Sequence, residues 1–150
     1  MPVRPHHAAM RARDEEVTFL PPETAPLMDR EVLRSEERRR TIHKELVSQE
    51  VQLNDYLDEG ARRLLPDGIA FEHVLNDTYT IVEEDPLSAR VRCEHILKLG
   101  RNDWRIRIET ASEMSGDILA FHLVNEITVF EGDTQLFSQQ WHSSIPRELV

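Results

Sequence analysis

Cysteine is almost absent from this chain: Cys93 stands alone, so no intramolecular disulfide braces the fold. The start also lacks a charged segment followed by an apolar one, and the two absences together predict a reducing, cytoplasmic setting. No window approaches the roughly 18 consecutive apolar residues that a membrane-crossing helix needs, so no such helix is expected. An excess of positive charge is missing too. Lys and Arg total 18 against 28 Asp and Glu, a net charge of −10, which repels phosphate backbones and anionic lipid. Neither nucleic acid nor a membrane is therefore an expected partner.

What is present is unevenly placed. The length of 150 residues suits one domain. Residues 1–40 carry eight basic and eight acidic side chains, so all the excess negative charge lies in residues 41–150. Pro2, Pro5, Pro21, Pro22 and Pro26 fall within residues 1–28, and proline fixes φ and removes a donor. The chain divides on this reading into an extended Pro-rich arm, 1–28, and a folded domain, 29–150.

From Ala89 onward apolar residues recur with a period of two, the signature of half-buried strands. Ala89, Val91, Cys93, Leu97 and Leu99 oppose Arg90, Arg92, Glu94 and Lys98, with His95 on the apolar face and Ile96 on the polar one. After the turn-forming Gly100–Asp103, Ile106, Ile108, Thr110, Ser112 and Met114 alternate with Arg105, Arg107, Glu109, Ala111 and Glu113. Past Ser115–Asp117 comes Leu119 to Val129, interrupted on its apolar face by Asn125; past Gly132–Asp133, Phe137, Trp141 and Ile145 keep the even spacing until Pro146. Four strands with short turns predict a mainly β fold, an antiparallel meander forming a curved sheet or a β-sandwich. For residues 38–57 the pattern decides less. Ile42, Leu46, Leu53, Tyr56 and Leu57 fit a helix, while alternation about a turn at Ser48–Gln49 fits two strands.

Several side chains are chemically suggestive. Ser88, Ser112, Ser115, Ser138, Ser143 and Ser144, with His43, His73, His95, His122 and His142, supply hydroxyls and bases, but serines in strands and turns are usually structural. Cys93 and His95 share a face and would reach metal-ligand geometry only with His122 or His142 from a neighbouring strand; a buried thiol beside a hydrogen-bonded imidazole is the commoner outcome. His6–His7 lies in the arm. No metal or cofactor is expected. Arg90, Arg92, Arg105 and Arg107 stand in the same rows as Glu94, Glu109 and Glu113 and predict cross-strand ion pairs on a solvated face. Trp104, Trp141 and Phe137 are the expected core or interface anchors.

Five strings carry a family resemblance: Glu84-Asp85-Pro86-Leu87-Ser88-Ala89-Arg90, Leu99-Gly100-Arg101-Asn102-Asp103-Trp104-Arg105, Arg107-Ile108-Glu109-Thr110, Phe130-Glu131-Gly132-Asp133-Thr134 and Ile145-Pro146-Arg147-Glu148-Leu149-Val150. They resemble the distal C-terminal β region of CocE/NonD-type α/β-hydrolases, the family of X-Pro dipeptidyl-peptidases and cocaine esterase. Pro2-Val3-Arg4-Pro5 through Leu20-Pro21-Pro22-Glu23 is similar to the proline-rich connector of longer members. The resemblance implies strands for residues 38–57. It also implies a serine nucleophile on a Gly-x-Ser-x-Gly elbow somewhere in the hydrolase, yet none of Gly60, Gly68, Gly100, Gly116 and Gly132 sits in one, so no catalytic residue carries over. The implied role is a non-catalytic accessory module that docks on a hydrolase domain in cis or in trans. A stand-alone small-ligand-binding β protein and a hydrolase in its own right are the alternatives, and self-association, or the arm folding back, would cover leftover apolar surface.

Overall fold

A computed structural model describes residues 20–148, and within them the chain is all β. Eight strands follow one another: β1 (Arg30–Arg34), β2 (Glu37–Lys44), β3 (Glu50–Leu64), β4 (Ala70–Val82), β5 (Asp85–Arg101), β6 (Trp104–Gly116), β7 (Ala120–Glu131) and β8 (Thr134–Pro146). From β3 to β8 each pairs antiparallel with the next, while β1 and β2 lie end to end along the free side of β3. The meander expected from the alternating pattern is thus the observed topology. It takes the form of one open sheet, with no second sheet packed on it among the described residues. Residues 20–29, the part of the arm that is described, are exposed and outside any strand; the rest of the 1–28 arm, with His6–His7, lies outside the described residues.

The stretch 38–57 is two strands about a turn. Ile42 sits directly opposite Leu53, Leu46 lies in the turn, and Tyr56 points to the other face from Leu57, so the helix-like spacing was the sum of two strands read through their turn. Tight reversals are made by residues with left-handed backbone: Gln49 (φ 59°), Glu84 (φ 66°), Asn102 (φ 56°) and Gly132 (φ 57°). Strand β5 begins at Asp85, four residues before Ala89, because the turn at Glu83–Glu84 returns the chain at once. Pro86, which has no N–H to give, sits next to the register shift between Thr80 and Val82.

The tightest point of the sheet is a bulge on β3. Asp58, Gly60 and Ala61 are the only buried residues among those described. Here the register shifts between Asp58 and Ala61, and β1 gives way to β2 on the adjoining edge. Gly60 has φ 77°, and a Cβ on it would lie 2.3 Å from the Arg34 carbonyl oxygen, so glycine is required. The Asp58 carboxylate accepts from the Gly60 N–H at 2.8 Å and from the Arg34 guanidinium, whose other arm reaches Glu72 at 3.3 Å. The Arg34 hydrogen bond, with the Gly60 N–H, holds the Asp58 carboxyl below its usual range against the opposing effect of burial.

Candidate functional site: the apolar face of the sheet

Residues paired across a ladder share a face, so the register assigns every side chain. One face carries Arg39, Asn54, Asn76, Glu94, Arg107 and Glu126 in its central rows, and its charges are largely paired, although the Arg107 Nε is buried without a hydrogen-bond partner. Arg92 reaches Glu94 at 2.8 Å and Glu113 at 3.5 Å, Arg107 pairs with Glu109 at 3.0 Å while lying 4.2 Å over the Phe130 ring, and Lys98 reaches Glu72 at 3.3 Å. Asn54 donates to Asn76 at 2.8 Å. Arg92–Glu113 and Lys98–Glu72 cross strands as the alternation predicts, whereas Arg92–Glu94 and Arg107–Glu109 run along one strand, and exposed pairs of this kind contribute about 0–1 kcal/mol each.

The opposite face is apolar. Ladder rows run across it as Ile42, Leu53, Tyr79, Val91, Met114 and Leu123, and again as His73, Leu97, Ile108, Val129 and Phe137. Between them runs a polar row, Arg40, Asp55, Asp77, Cys93, Ser112 and Asn125, ending on Trp141. Arg40 and Arg38 approach Asp55 at 3.5 and 3.8 Å, and the second Asp55 oxygen is buried without a partner. His95 meets Asp77 at 3.4 Å and packs edge-on against His73, centroids 5.8 Å apart. Burial, followed by its hydrogen bond to the Asp77 carboxylate, pushes the Cys93 thiol up to about 11. That is the protonated, weakly nucleophilic form at neutral pH.

The register also settles the groupings suggested by sequence. Cys93 and His95 lie on the apolar face, whereas His122 and His142 lie on the polar one, paired with Ser144 and Val124, so the four do not converge. His122 is instead held by Asp117 at 2.8 Å, where Asp117 also caps the turn by accepting from the N–H groups of Leu119 and Ala120. His95 has Asp77 and His73 has Glu59, each at 3.4 Å, as acid partners, and Ser112 stands opposite Cys93 rather than opposite His95, whose partner is Thr110.

Trp104, Phe137 and Trp141 all fall on the apolar face, as their even spacing from the ladder residues requires. They are not core: 43–46% of each is exposed. Trp104 opens β6 and β8 is the sheet's last strand, and no second sheet is stacked on either among the described residues. The apolar face as a whole lacks a cover among the described residues. Toward the β4–β5 and β6–β7 turns it deepens into a groove of about 460 Å³. Leu53, Tyr79, Leu87, Val91, Met114 and Phe121 form its walls, and Arg147 sits at its rim. The Arg147 guanidinium lies 4.9 Å over Phe121 and donates to the Asp117 carbonyl at 2.9 Å, while its Nε is buried without a partner. Sequence reasoning missed this residue because it lies past the last strand, where periodicity gives no signal.

No family model, no curated protein and no solved structure matches this chain.

Proposed function

We propose that the chain is a non-catalytic docking module whose apolar sheet face covers the surface of a CocE/NonD-type α/β-hydrolase domain, in cis or in trans. The observation that carries this reading is a sheet with one strongly apolar face and no second layer over it among the described residues. A sheet of this kind must bury that face against another element, because domains are built from at least two packed layers. Uncovered apolar areas beyond a few hundred Å² mark interaction sites. The strings at Glu84–Arg90, Leu99–Arg105 and Ile145–Val150 supply the identity of the occupant. The polar row suits a protein partner rather than lipid, since Asp55 and Asp77 need donors when they are covered.

Co-expression with a CocE/NonD catalytic domain that lacks its own C-terminal module tests the reading. A stoichiometric complex is expected, and it is lost when Trp104→Ser and Met114→Ser are combined. Both side chains are less than half exposed and belong to a face without a cover among the described residues, so the fold is expected to survive the change. Failure to co-purify while the chain remains a well-folded monomer contradicts docking. Turnover of short-chain esters or X-Pro anilides by the chain alone, with labelling of one serine by a fluorophosphonate, contradicts its non-catalytic character.

The groove supports a second reading, binding of a small apolar molecule with one anionic group. Its volume suits such a ligand, and Arg147, with Arg90, brings positive charge to a mostly apolar wall. Decanoate is expected to raise the melting temperature, decylamine to leave it unchanged, and Arg147→Gln to abolish the effect. Equal shifts with both amphiphiles, or none, exclude it.

A further inference from the structure

We infer that β8 pairs edge to edge with β8 of a second copy of this chain, antiparallel and two-fold about Gln139, joining two sheets into one. An edge strand presents a row of unpaired N–H and C=O groups, and proteins that stay monomeric blunt it with charge, proline, bulges or brevity. The β8 strand uses neither charge nor brevity nor an interior proline, and its one bulge, at Leu136 near its start, leaves Phe137–Ile145 in regular register. It runs 13 residues, every one exposed, without a single Asp, Glu, Lys or Arg, and its one proline is its last residue. Its only irregularity is a register shift near the start, between Val129 and Phe130 of the neighbouring strand.

The sequence of β8 says what the occupant is. Antiparallel pairing about Gln139 sets Phe137 opposite Trp141 of the second copy, and Trp141 opposite its Phe137. Both pairs lie on the apolar face, because Phe137, Gln139 and Trp141 are the ladder partners of Val129, Ile127 and Asn125. On the polar face, Ser138 meets Gln140. Aromatic cross-strand pairs contribute about 0.2–1 kcal/mol each, and no like charges are opposed anywhere in this register. The other edge carries Glu37, Arg38, Arg39, Arg40 and Lys44 and is interrupted at Ser35–Glu36, the charge and the break that deter strand addition. Two-fold pairing therefore selects β8. It also lies outside the docking reading, since it uses the strand edge and leaves Trp104 and Met114 of the face free.

Sedimentation velocity on the full chain is expected to give a concentration-dependent dimer. Gln139→Lys places two ammonium groups opposite each other at the two-fold and should weaken the dimer at least about tenfold, whereas Gln139→Ser should leave it intact. Gln139→Glu serves as a second like-charge variant should the lysine disturb folding. In a Cys93→Ser background, Gln139→Cys should cross-link to itself with diamide and Thr134→Cys should not, because Thr134 then faces Ser144. A wild-type monomer at the highest concentrations overturns the inference. So does a dimer that Gln139→Lys and Gln139→Glu leave unchanged but Trp104→Ser with Met114→Ser dissolves, which would place self-association on the face instead.

Discussion

The two edges of this sheet are built on opposite terms. At the first, β1 and β2 carry Arg30, Glu31, Arg34, Glu37, Arg38, Arg39, Arg40 and Lys44, and the strand is broken at Ser35–Glu36. That edge is clamped to the body by Arg34 on Asp58 and Glu72, by Arg63 on Glu31 at 2.9 Å, and by Gly60 beneath the Arg34 carbonyl. At the second edge, β8 is uncharged and continuous. Charge and kinking close the first edge to further strands, and the absence of both leaves the second open. The same contrast holds between the faces, one with its charges largely paired and the other apolar and uncovered among the described residues. The sheet is finished on one edge and one face and open on the others.

Substitution at the clamp should do the most damage. Gly60→Ala is expected to cost about 3 kcal/mol or more in urea unfolding, since it adds a backbone clash to a left-handed φ. A cost under about 1 kcal/mol would mean that the first edge is not held there. Asp58→Asn comes next, at about 1–3 kcal/mol, from loss of the charged acceptor for Arg34. The sign of its pH dependence follows from its depressed carboxyl. The Asp58 contribution is present above about pH 4, the unfolded value, and is lost as pH falls through the folded value. Unfolding midpoints of wild type and Asp58→Asn should therefore converge below about pH 4.

The open edge should tolerate more. Trp141→Ala is expected to cost about 1 kcal/mol in a monomer, because the ring is only about half covered. A loss as large as that of Gly60→Ala would show that β8 is core after all. The smallest effect belongs to Asp117, whose carboxyl is lowered to about 2, first by His122 and then by the turn N–H groups. As it is fully exposed, its titration is a local marker. NMR should place its midpoint near 2, with His122→Ala moving it back toward about 4.

Much of this contrast was legible in the amino-acid order. Alternation from Ala89 to Ile145 gave the strands, their faces and the meander, because each side chain's face is fixed by a period of two. It also put Phe137 and Trp141 on one face. What alternation does not encode is the number of layers. An apolar strand face looks the same whether its cover comes from the same chain or another, so alternation could not choose between core and interface for the anchors Trp104, Phe137 and Trp141. The clamp was equally hidden, since Arg34, Asp58 and Glu72 are brought together only by a bulge at Gly60. The Arg147 rim of the groove depends on the turn at Asp117, to which it bonds from 30 residues away.

The central claim is that the apolar face exists to be covered by a second body, and calorimetric titration of the chain into a CocE/NonD catalytic domain at several temperatures tests it most directly. Burial of apolar surface gives a negative heat-capacity change, the most robust marker of such an interface. One-to-one binding with a clearly negative change, abolished by Trp104→Ser with Met114→Ser, is the predicted result. Absence of heat at every temperature, or binding indifferent to Trp104 and Met114, would contradict the account.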